Sequence, residues 1–415
     1  MKEIVIQKGR LAGRISVPSS KSDTHRALIL AGLSNGKSKI ISPLVCRDTE
    51  ATEACLGAIG VKIRKGKSFW EVEGGKFFSP RQNLFCWESG TTLRLMTAVC
   101  SLIKGRCILT GRPSLMRRPI APLLRALRDL GVRARKRKNL VIVEDNFLGG
   151  KTKIRGDISS QFISALLLVS PLARKEVEIE LTSPLESSSY VLMTINSQRA
   201  FGVNVNFSRD LKRFRIKRQS YRPGEYRVEA DWSSASFFLA GGAIAGRVRV
   251  KNLNQRSFQP DRKIIDFLKQ MGAKIAVKEK EVIVEKSALR AIQADVRDCP
   301  DLFPVVCVLS AVAKGTSEIS GIERLKYKES NRLEEMEKGL KKMGIRTKKT
   351  RSRFFVEGGR PKGAIIDSND HRIVMAFVVL GLIAKTKTVV KNPDCASKSF
   401  PTFFEELRSI YQPLW

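Results

Sequence analysis

Six times along this chain of 415 residues, a small polar cluster opens a short, almost wholly apolar run. The openings stand at Ser20, Ser89, Ser159, Ser233, Asp301 and Asn369, at intervals of roughly seventy residues. A second marker keeps the same interval. Amphipathic stretches end in Gly60, Gly131, Gly202, Gly272 and Gly344, each followed by a β-type run. The segments LRALRDLGVRARKRKNLVIVE, IIDFLKQMGAKIAVKEKEVIVE and MEKGLKKMGIRTKKTRSRFFVEGG are visibly copies of one pattern. One supersecondary unit repeated about six times is the main content of the sequence, and its period is too long for the common short solenoids.

The pattern predicts the parts of the unit. Its first helix, such as SSQFISALLLVSPLA from Ser159 to Ala173, is apolar all round and is therefore expected to be buried. Its second helix, such as APLLRALRDLG, is apolar along one stripe and covers a surface. The glycine suits a helix C-cap, and two short strands joined by a turn follow it, as in VRARKRKNLVIVE. The sixth copy is split across the termini. PTFFEELRSIYQ supplies its amphipathic helix, and KEIVIQ with GRISVP supplies a strand pair, so the ends are expected to meet. A chain this long exceeds one ordinary core. The expectation is an α/β protein of two domains with three repeats each, residues 1–19 plus 229–415 and residues 20–228.

Composition narrows the class. The longest apolar run, IVMAFVVLGLIA from Ile373, has twelve residues and is too short to span a bilayer. Met1 leads directly into a strand-like segment, so no signal or transit peptide is expected, and the chain reads as a cytoplasmic enzyme. Eight cysteines lack any Cys-x-x-Cys pair, which suits a reducing compartment and disfavours structural zinc. With only His25 and His371 available, a histidine-built metal site is not expected. The net charge of +36 raises nucleic-acid binding. However, the basic runs at 133–139 and 346–353 fall on equivalent hairpins and lack the interleaved aromatic platform of single-strand binders. Basic drift on solvated faces accounts for them, and part of the charge can steer small anions.

Buried helices that begin with Ser, Thr or Asp present free N–H groups and the positive end of the dipole, a ready anion site. Each such residue is also explained as a plain N-cap, and Ser159, Ser160, Ser233 and Ser234 read that way singly. The cations change the reading. Lys21, Arg26, Arg94, Arg118, Lys328, Arg332 and Arg372 lie in or just after the openings, where positive charge opposes the dipole unless an anion offsets it.

These residues form a recognisable series. Pro18-Ser-Ser-Lys21-Ser22-Asp-Thr-His-Arg26-Ala resembles the first signature of the 5-enolpyruvylshikimate-3-phosphate synthases. The same family pattern is met by Ser89-Gly90-Thr91-Thr92-Leu93-Arg94, Arg117-Arg118-Pro119-Ile120, Ser159-Ser160-Gln161, Lys328-Glu329-Ser330-Asn331-Arg332, Asn369-Asp370-His371-Arg372 and Lys398-Ser399-Phe400-Pro401. The resemblance spans residues 3 to 410. It implies the two-domain enolpyruvyl transferase fold, six βαβαββ repeats with buried helices pointing at an interdomain cleft. It also implies transfer of the enolpyruvyl group of phosphoenolpyruvate to the 5-hydroxyl of shikimate 3-phosphate, with release of phosphate.

Both substrates are phosphorylated and carboxylated, so clustered guanidinium and ammonium groups fit them. By resemblance, shikimate 3-phosphate falls to Lys21, Ser22, Arg26, Ser159, Ser160, Gln161, Ser187, Tyr190, Asp301 and Lys328. Phosphoenolpyruvate falls to Lys21, Gly90, Arg118, Gln161, Arg332, Arg372 and Lys398. The addition and elimination steps need a base and an acid. The resemblance gives these roles to Asp301 and Glu329, with Lys21 a further partner in proton transfer. An N-cap and an ordinary salt bridge are the plain readings of Asp301 and Glu329. No metal or organic cofactor is implied. A monomer is, and Gly90 stands where family members bind glyphosate.

Four positions depart from the family pattern. Glu88 replaces an asparagine and either places a negative charge near an anion site or turns outward. Arg324 also replaces an asparagine, Ser19 replaces a glycine and Ala396 a threonine. A related enzyme moves enolpyruvate onto UDP-N-acetylglucosamine, but its loop often carries a reactive cysteine, and Gly111 to Pro119 has none. A basic nucleic-acid-binding protein is the alternative from another class, and it leaves Asp301 and Glu329 without a reason.

Overall fold

The computed structural model describes residues 2–144 and 146–413. The chain divides into two compact units, one of Met1–Pro18 with Glu229–Trp415 and one of Ser19–Val228. Each has its own apolar core.

In the unit Ser19–Val228 the three apolar runs form the buried helices Lys21–Leu33, Gly90–Val99 and Ser160–Val169. The last run was expected to stay helical to Ala173. It tightens instead into a 3₁₀ turn over Ser170–Leu172, where Pro171 has no N–H to continue the α-helical ladder. Three four-stranded sheets repeat one topology. Gly150–Ile154 runs parallel to Val177–Leu181, which pairs antiparallel with Arg213–Ile216, and Asn206–Phe207 forms the edge. A buried helix connects the parallel pair, as a crossover between parallel strands requires.

Register follows from alternation. Val177, Ile179 and Leu181 face the core, while Glu178 and Glu180 face outward opposite Lys151 and Lys153, at 3.1 and 3.2 Å. Slipping this strand by one residue would bury both carboxylates.

The unit Met1–Pro18 with Glu229–Trp415 holds the buried helices Trp232–Ala245, Phe303–Ser310 and His371–Gly381. Its sheets of Gln293–Asp295, Thr316–Ser320, Arg353–Glu357 and Thr347–Lys349, and of Gly9–Ser16, Gly246–Lys251, Glu281–Glu285 and Lys274–Val277, keep the same order. The terminal strands depart from expectation. Glu3–Ile6 completes the sixth repeat by pairing with Thr388–Lys391, but Gly9–Ser16 runs parallel to Gly246–Lys251 in the fourth. They are therefore not a pair. The chain ends still meet, because Tyr411–Pro413 pairs with Gly9, Arg10 and Leu11.

The strand before a buried helix is exchanged at both crossovers. Gly9–Ser16 precedes Lys21–Leu33 in sequence but lies in the other unit's sheet. Glu225–Arg227 precedes Trp232–Ala245 yet runs parallel to Gly36–Ile41.

All five marker glycines take positive φ, from 77° to 111°, so each closes its helix in the left-handed conformation that a Cβ disfavours. Two helix openings fall elsewhere than expected. Asp231, not Ser233, caps the fourth buried helix by accepting from Ser234 N, and Asp370, not Asn369, caps the sixth by accepting from Arg372 N. A carboxylate has a fixed charge for the dipole and two acceptor oxygens, which lets it outcompete the neighbouring hydroxyl or amide.

Candidate active site

The candidate residues form one cluster in each unit. In Ser19–Val228, Lys21 is the first residue of its helix and pairs with Asp48 at 2.9 Å. Arg26, one turn later, is buried. It donates Nε to Thr194 Oγ1 at 2.8 Å, Nη1 to the Ser22 carbonyl at 2.7 Å, and Nη2 to the Tyr190 carbonyl at 3.0 Å and to Ser164 Oγ at 3.4 Å. The Tyr190 ring centre lies 6.0 Å from the guanidinium carbon. Burial lowers the Arg26 pKa, with Asp23 opposing the shift.

The N-termini of two buried helices are cross-linked by Gln161. Its Oε1 accepts from Arg94 Nη1 at 2.5 Å and its Nε2 donates to Thr91 Oγ1 at 3.0 Å. Ser159 caps the helix that carries Gln161, accepting from Gln161 N at 3.4 Å, and Ser160 is the buried first residue. Gly90 opens the other helix. A Cβ there would stand 3.1 Å from Arg118 Nη1 and 3.5 Å from Arg94 Nη1, so the missing side chain lets two guanidinium groups approach the helix start. Ser187 precedes the helix Ser188–Ala200 with φ at +56°, a strained conformation for a serine.

The second cluster lies in the unit with Glu229–Trp415. Asp301 sits in the 3₁₀ turn Pro300–Leu302. It is not an N-cap: its side chain binds Arg332 Nη1 at 2.6 Å, Arg372 Nη2 at 3.0 Å and Lys328 Nζ at 3.1 Å. Arg332, 1% exposed, also donates Nη2 to Glu329 Oε2 at 2.7 Å and Nε to Asp370 Oδ2 at 2.8 Å. Glu329 thus does form a salt bridge, but to a buried guanidinium shared with Asp301.

Burial would raise the Asp301 pKa, but Arg372, Lys328 and Arg332 outweigh it and hold the carboxyl well below its ordinary value. Burial lowers Lys328, against the opposing pull of Asp301. Arg372 is 5% exposed, and its Nε and Nη1 have no hydrogen-bond partner among the described residues. Two uncommitted donors on a buried cation are the feature a small anion would satisfy. Lys398 ends the 3₁₀ segment Pro393–Lys398, which packs on the helix that begins at His371.

Sequence reasoning missed the acidic and hydroxyl partners that hold these cations, namely Asp48, Asp370, Thr194 and Ser164. Asp48 and Asp370 each fall in or at the start of a helix, where a carboxylate is also explained by the dipole, so only their tertiary partners reveal the second role. Of the departures, Glu88 is exposed and accepts from Ser114 Oγ at 3.3 Å, the outward of its two expected orientations. Arg324 donates to the Arg297 carbonyl at 2.7 Å. The basic hairpins are salt-bridged surfaces: Arg133 and Arg135 both reach Glu144. The described cysteines are all free, and seven are buried. No helix among the described residues is long and apolar enough to cross a membrane. Among these residues no group of three or more His, Cys, Asp or Glu is arranged to hold a metal ion.

Residues 5–407 match the family model for EPSP synthase (3-phosphoshikimate 1-carboxyvinyltransferase). The chain is 43% identical over 412 residues to the 3-phosphoshikimate 1-carboxyvinyltransferase of Dehalococcoides mccartyi, covering 98% of each. It is 39% identical over 420 residues to that of Methanocaldococcus jannaschii, covering 98% of this chain and 97% of the relative. Among solved structures, EPSP synthase from Acinetobacter baumannii superposes with a TM-score of 0.83 at 26% identity, covering 99% of this chain and 98% of that one. The enolpyruvyl transferase NikO from Streptomyces tendae shares the fold at 17% identity and a TM-score of 0.79. Matched over nearly its whole length, the chain belongs to the EPSP synthase family.

Proposed function

We infer that this chain is a 3-phosphoshikimate 1-carboxyvinyltransferase of aromatic amino-acid biosynthesis, moving the enolpyruvyl group of phosphoenolpyruvate to the 5-hydroxyl of shikimate 3-phosphate. The observation that carries the reading at the level of chemistry is the Asp301–Arg332–Arg372 cluster, in which a partly buried carboxylate and a buried cation with uncommitted guanidinium donors stand together.

The residue roles follow from the family motifs that these residues match. By that match Lys21, Gly90, Arg118, Gln161, Arg332, Arg372 and Lys398 take the anionic groups of phosphoenolpyruvate. Ser22, Arg26, Ser159, Ser160, Gln161, Ser187 and Tyr190, with Lys21, Asp301 and Lys328, take shikimate 3-phosphate. Arg26 acts with its geometry already fixed by Thr194 and Tyr190, so little side-chain entropy remains to be lost on binding.

Asp301 is ionised before the reaction and takes up the proton of the 5-hydroxyl as that oxygen bonds to C2 of the enol. A proton is delivered to the methylene carbon, with Glu329 and Lys21 as the partners. The surrounding cations stabilise the tetrahedral intermediate. Loss of a proton from the methyl carbon then restores the double bond as the C2–O bond to phosphate breaks. The same resemblance supports a cytoplasmic monomer and glyphosate as a ligand near Gly90. Sedimentation and inhibition assays test these.

The first experiment is phosphate release from the two substrates by the wild type, Asp301→Ala and Glu329→Gln. Release that requires shikimate 3-phosphate and collapses in both variants is expected. No release by the folded wild type overturns the activity, and full activity in a variant overturns that residue's role.

A further inference from the structure

Lys21 and His25 stand one turn apart on the helix Lys21–Leu33, and Asp48 and Thr52 stand one turn apart on the helix Arg47–Ala58. The two pairs meet one to one. Lys21 Nζ binds Asp48 Oδ2 at 2.9 Å, and His25 Nδ1 lies 2.7 Å from Thr52 Oγ1. Thr92, in the first turn of the helix that Gly90 opens, joins both pairs. Its Oγ1 lies 2.7 Å from Thr52 Oγ1, 3.1 Å from the Asp48 carbonyl and 2.7 Å from Ser89 Oγ, the cap that accepts from Thr92 N at 3.2 Å. His25, Thr52, Ser89 and Thr92 are all shut away from solvent.

One arrangement of protons makes every one of these contacts a hydrogen bond. The Asp48 carbonyl can only accept, so the single hydroxyl proton of Thr92 goes to it. Thr52 and Ser89 then donate to the two lone pairs of Thr92 Oγ1. Thr52 Oγ1, with its own proton turned toward Thr92, accepts from His25, which therefore carries its proton on Nδ1. Nε2 is left bare, and it has no hydrogen-bond partner among the described residues. The opposite tautomer would strand a buried N–H, which folded proteins rarely leave unpaired. Burial, which lowers the His25 pKa to about 3, keeps the ring neutral.

We propose that Thr92 is a positioning residue for phosphoenolpyruvate capture, acting through Asp48 on Lys21. Its hydroxyl fixes the first turn of Arg47–Ala58 against the helix start at Gly90, and the Asp48 carboxylate on that turn holds the Lys21 ammonium. Protons from Thr52 and Ser89 keep the hydroxyl in the orientation that reaches Asp48, and His25 in turn orients Thr52. Two groups from different repeats, Lys21 and Gly90, are thereby kept at one spacing. The proposal rests on Lys21 and Gly90 being phosphoenolpyruvate ligands.

The test compares KM for both substrates in the wild type, Thr92→Val and Thr92→Ser, beside nitrogen NMR of the histidine rings. Thr92→Val keeps the volume but strands the Thr52 and Ser89 protons and releases the Asp48 turn. It is expected to raise KM for phosphoenolpyruvate on the order of tenfold, the size of a broken buried hydrogen bond. KM for shikimate 3-phosphate should change less, because Arg26 keeps its bonds to Thr194 and Tyr190. Thr92→Ser retains the hydroxyl and should restore the wild-type value. A packing role predicts the reverse order, since valine keeps the methyl group that serine lacks. The His25 ring, one of two in the chain and assigned with His25→Gln, is expected to carry its proton on Nδ1. That readout needs no folded Thr92 variant. An unchanged KM in Thr92→Val, serine no better than valine, or a wild-type proton on Nε2 overturns the proposal. Turnover by the wild type in the same assay keeps these outcomes distinct from failure of the assigned activity.

Discussion

Arg332 donates its Nε to Asp370 Oδ2 at 2.8 Å, and both side chains are shut away from solvent. Asp370 also accepts from Ser330 Oγ and caps the buried helix His371–Gly381, so one carboxylate ties the Lys328–Arg332 motif to the Asn369–Arg372 motif. Removing one partner of a buried pair strands the other. Asp370→Ala is expected to cost about 3–5 kcal/mol of stability. Urea denaturation of Asp370→Ala, Arg332→Met and the double variant measures it, and the double variant should lose less than the sum of the singles.

Gly90→Ala tests the approach of Arg118 and Arg94 to a helix start. The new methyl group would sit 3.1 Å from Arg118 Nη1, tight enough that the guanidinium must shift by tenths of an ångström. A helical alanine is itself favourable by about 0.5–1 kcal/mol over glycine. The expected result is unchanged or slightly raised thermal stability with KM for phosphoenolpyruvate raised several-fold. An unchanged KM removes Gly90 from the anion site.

His25 is buried, and its Nδ1 lies 2.7 Å from Thr52 Oγ1 while its Nε2 has no partner among the described residues. Burial, eased by Asp48 and reinforced by Lys21 and Arg26, lowers its pKa to about 3. The unfolded chain binds this proton near pH 6.5, so stability is complete above that value and falls as the pH drops from there toward 3. The loss is several kcal/mol, at most about 5. Urea midpoints from pH 8 to 5 should decline in the wild type and less steeply in a folded His25→Gln variant.

Asp301 acts in a lower window. Its carboxyl is held below the ordinary range, so its contribution is present above the unfolded pKa near 4 and is lost as the pH falls through the depressed native value. Asp301→Asn should flatten the acid limb of stability below about pH 4 while leaving the His25 limb between 6.5 and 4 intact. Merging of the two limbs in that variant argues against separate titrations.

Much of the fold was legible because it repeats. The marker glycines predicted five helix ends, and the apolar runs predicted the buried helices, since burial on all sides favours apolar residues around the whole helix. The terminal strands misled because their composition suits either sheet. Pairing of Gly9–Ser16 with Gly246–Lys251 joins residues more than two hundred positions apart, and no local signal states it. Ser233 and Asn369 looked like caps because serine and asparagine cap well, and the neighbouring Asp231 and Asp370 were preferred by charge.

The candidate site divides in the same way. Sequence by itself determined which cations and hydroxyls sit at helix starts, because that is set by spacing within each repeat, and it identified the family by motif order. Tertiary structure alone decided which carboxylate holds which cation. Lys21 with Asp48, Arg332 with Asp370, and Arg372 with Asp301 all join separate segments. Electrostatic pairing depends on distance and burial in space, and neither is written in the order of residues along the chain.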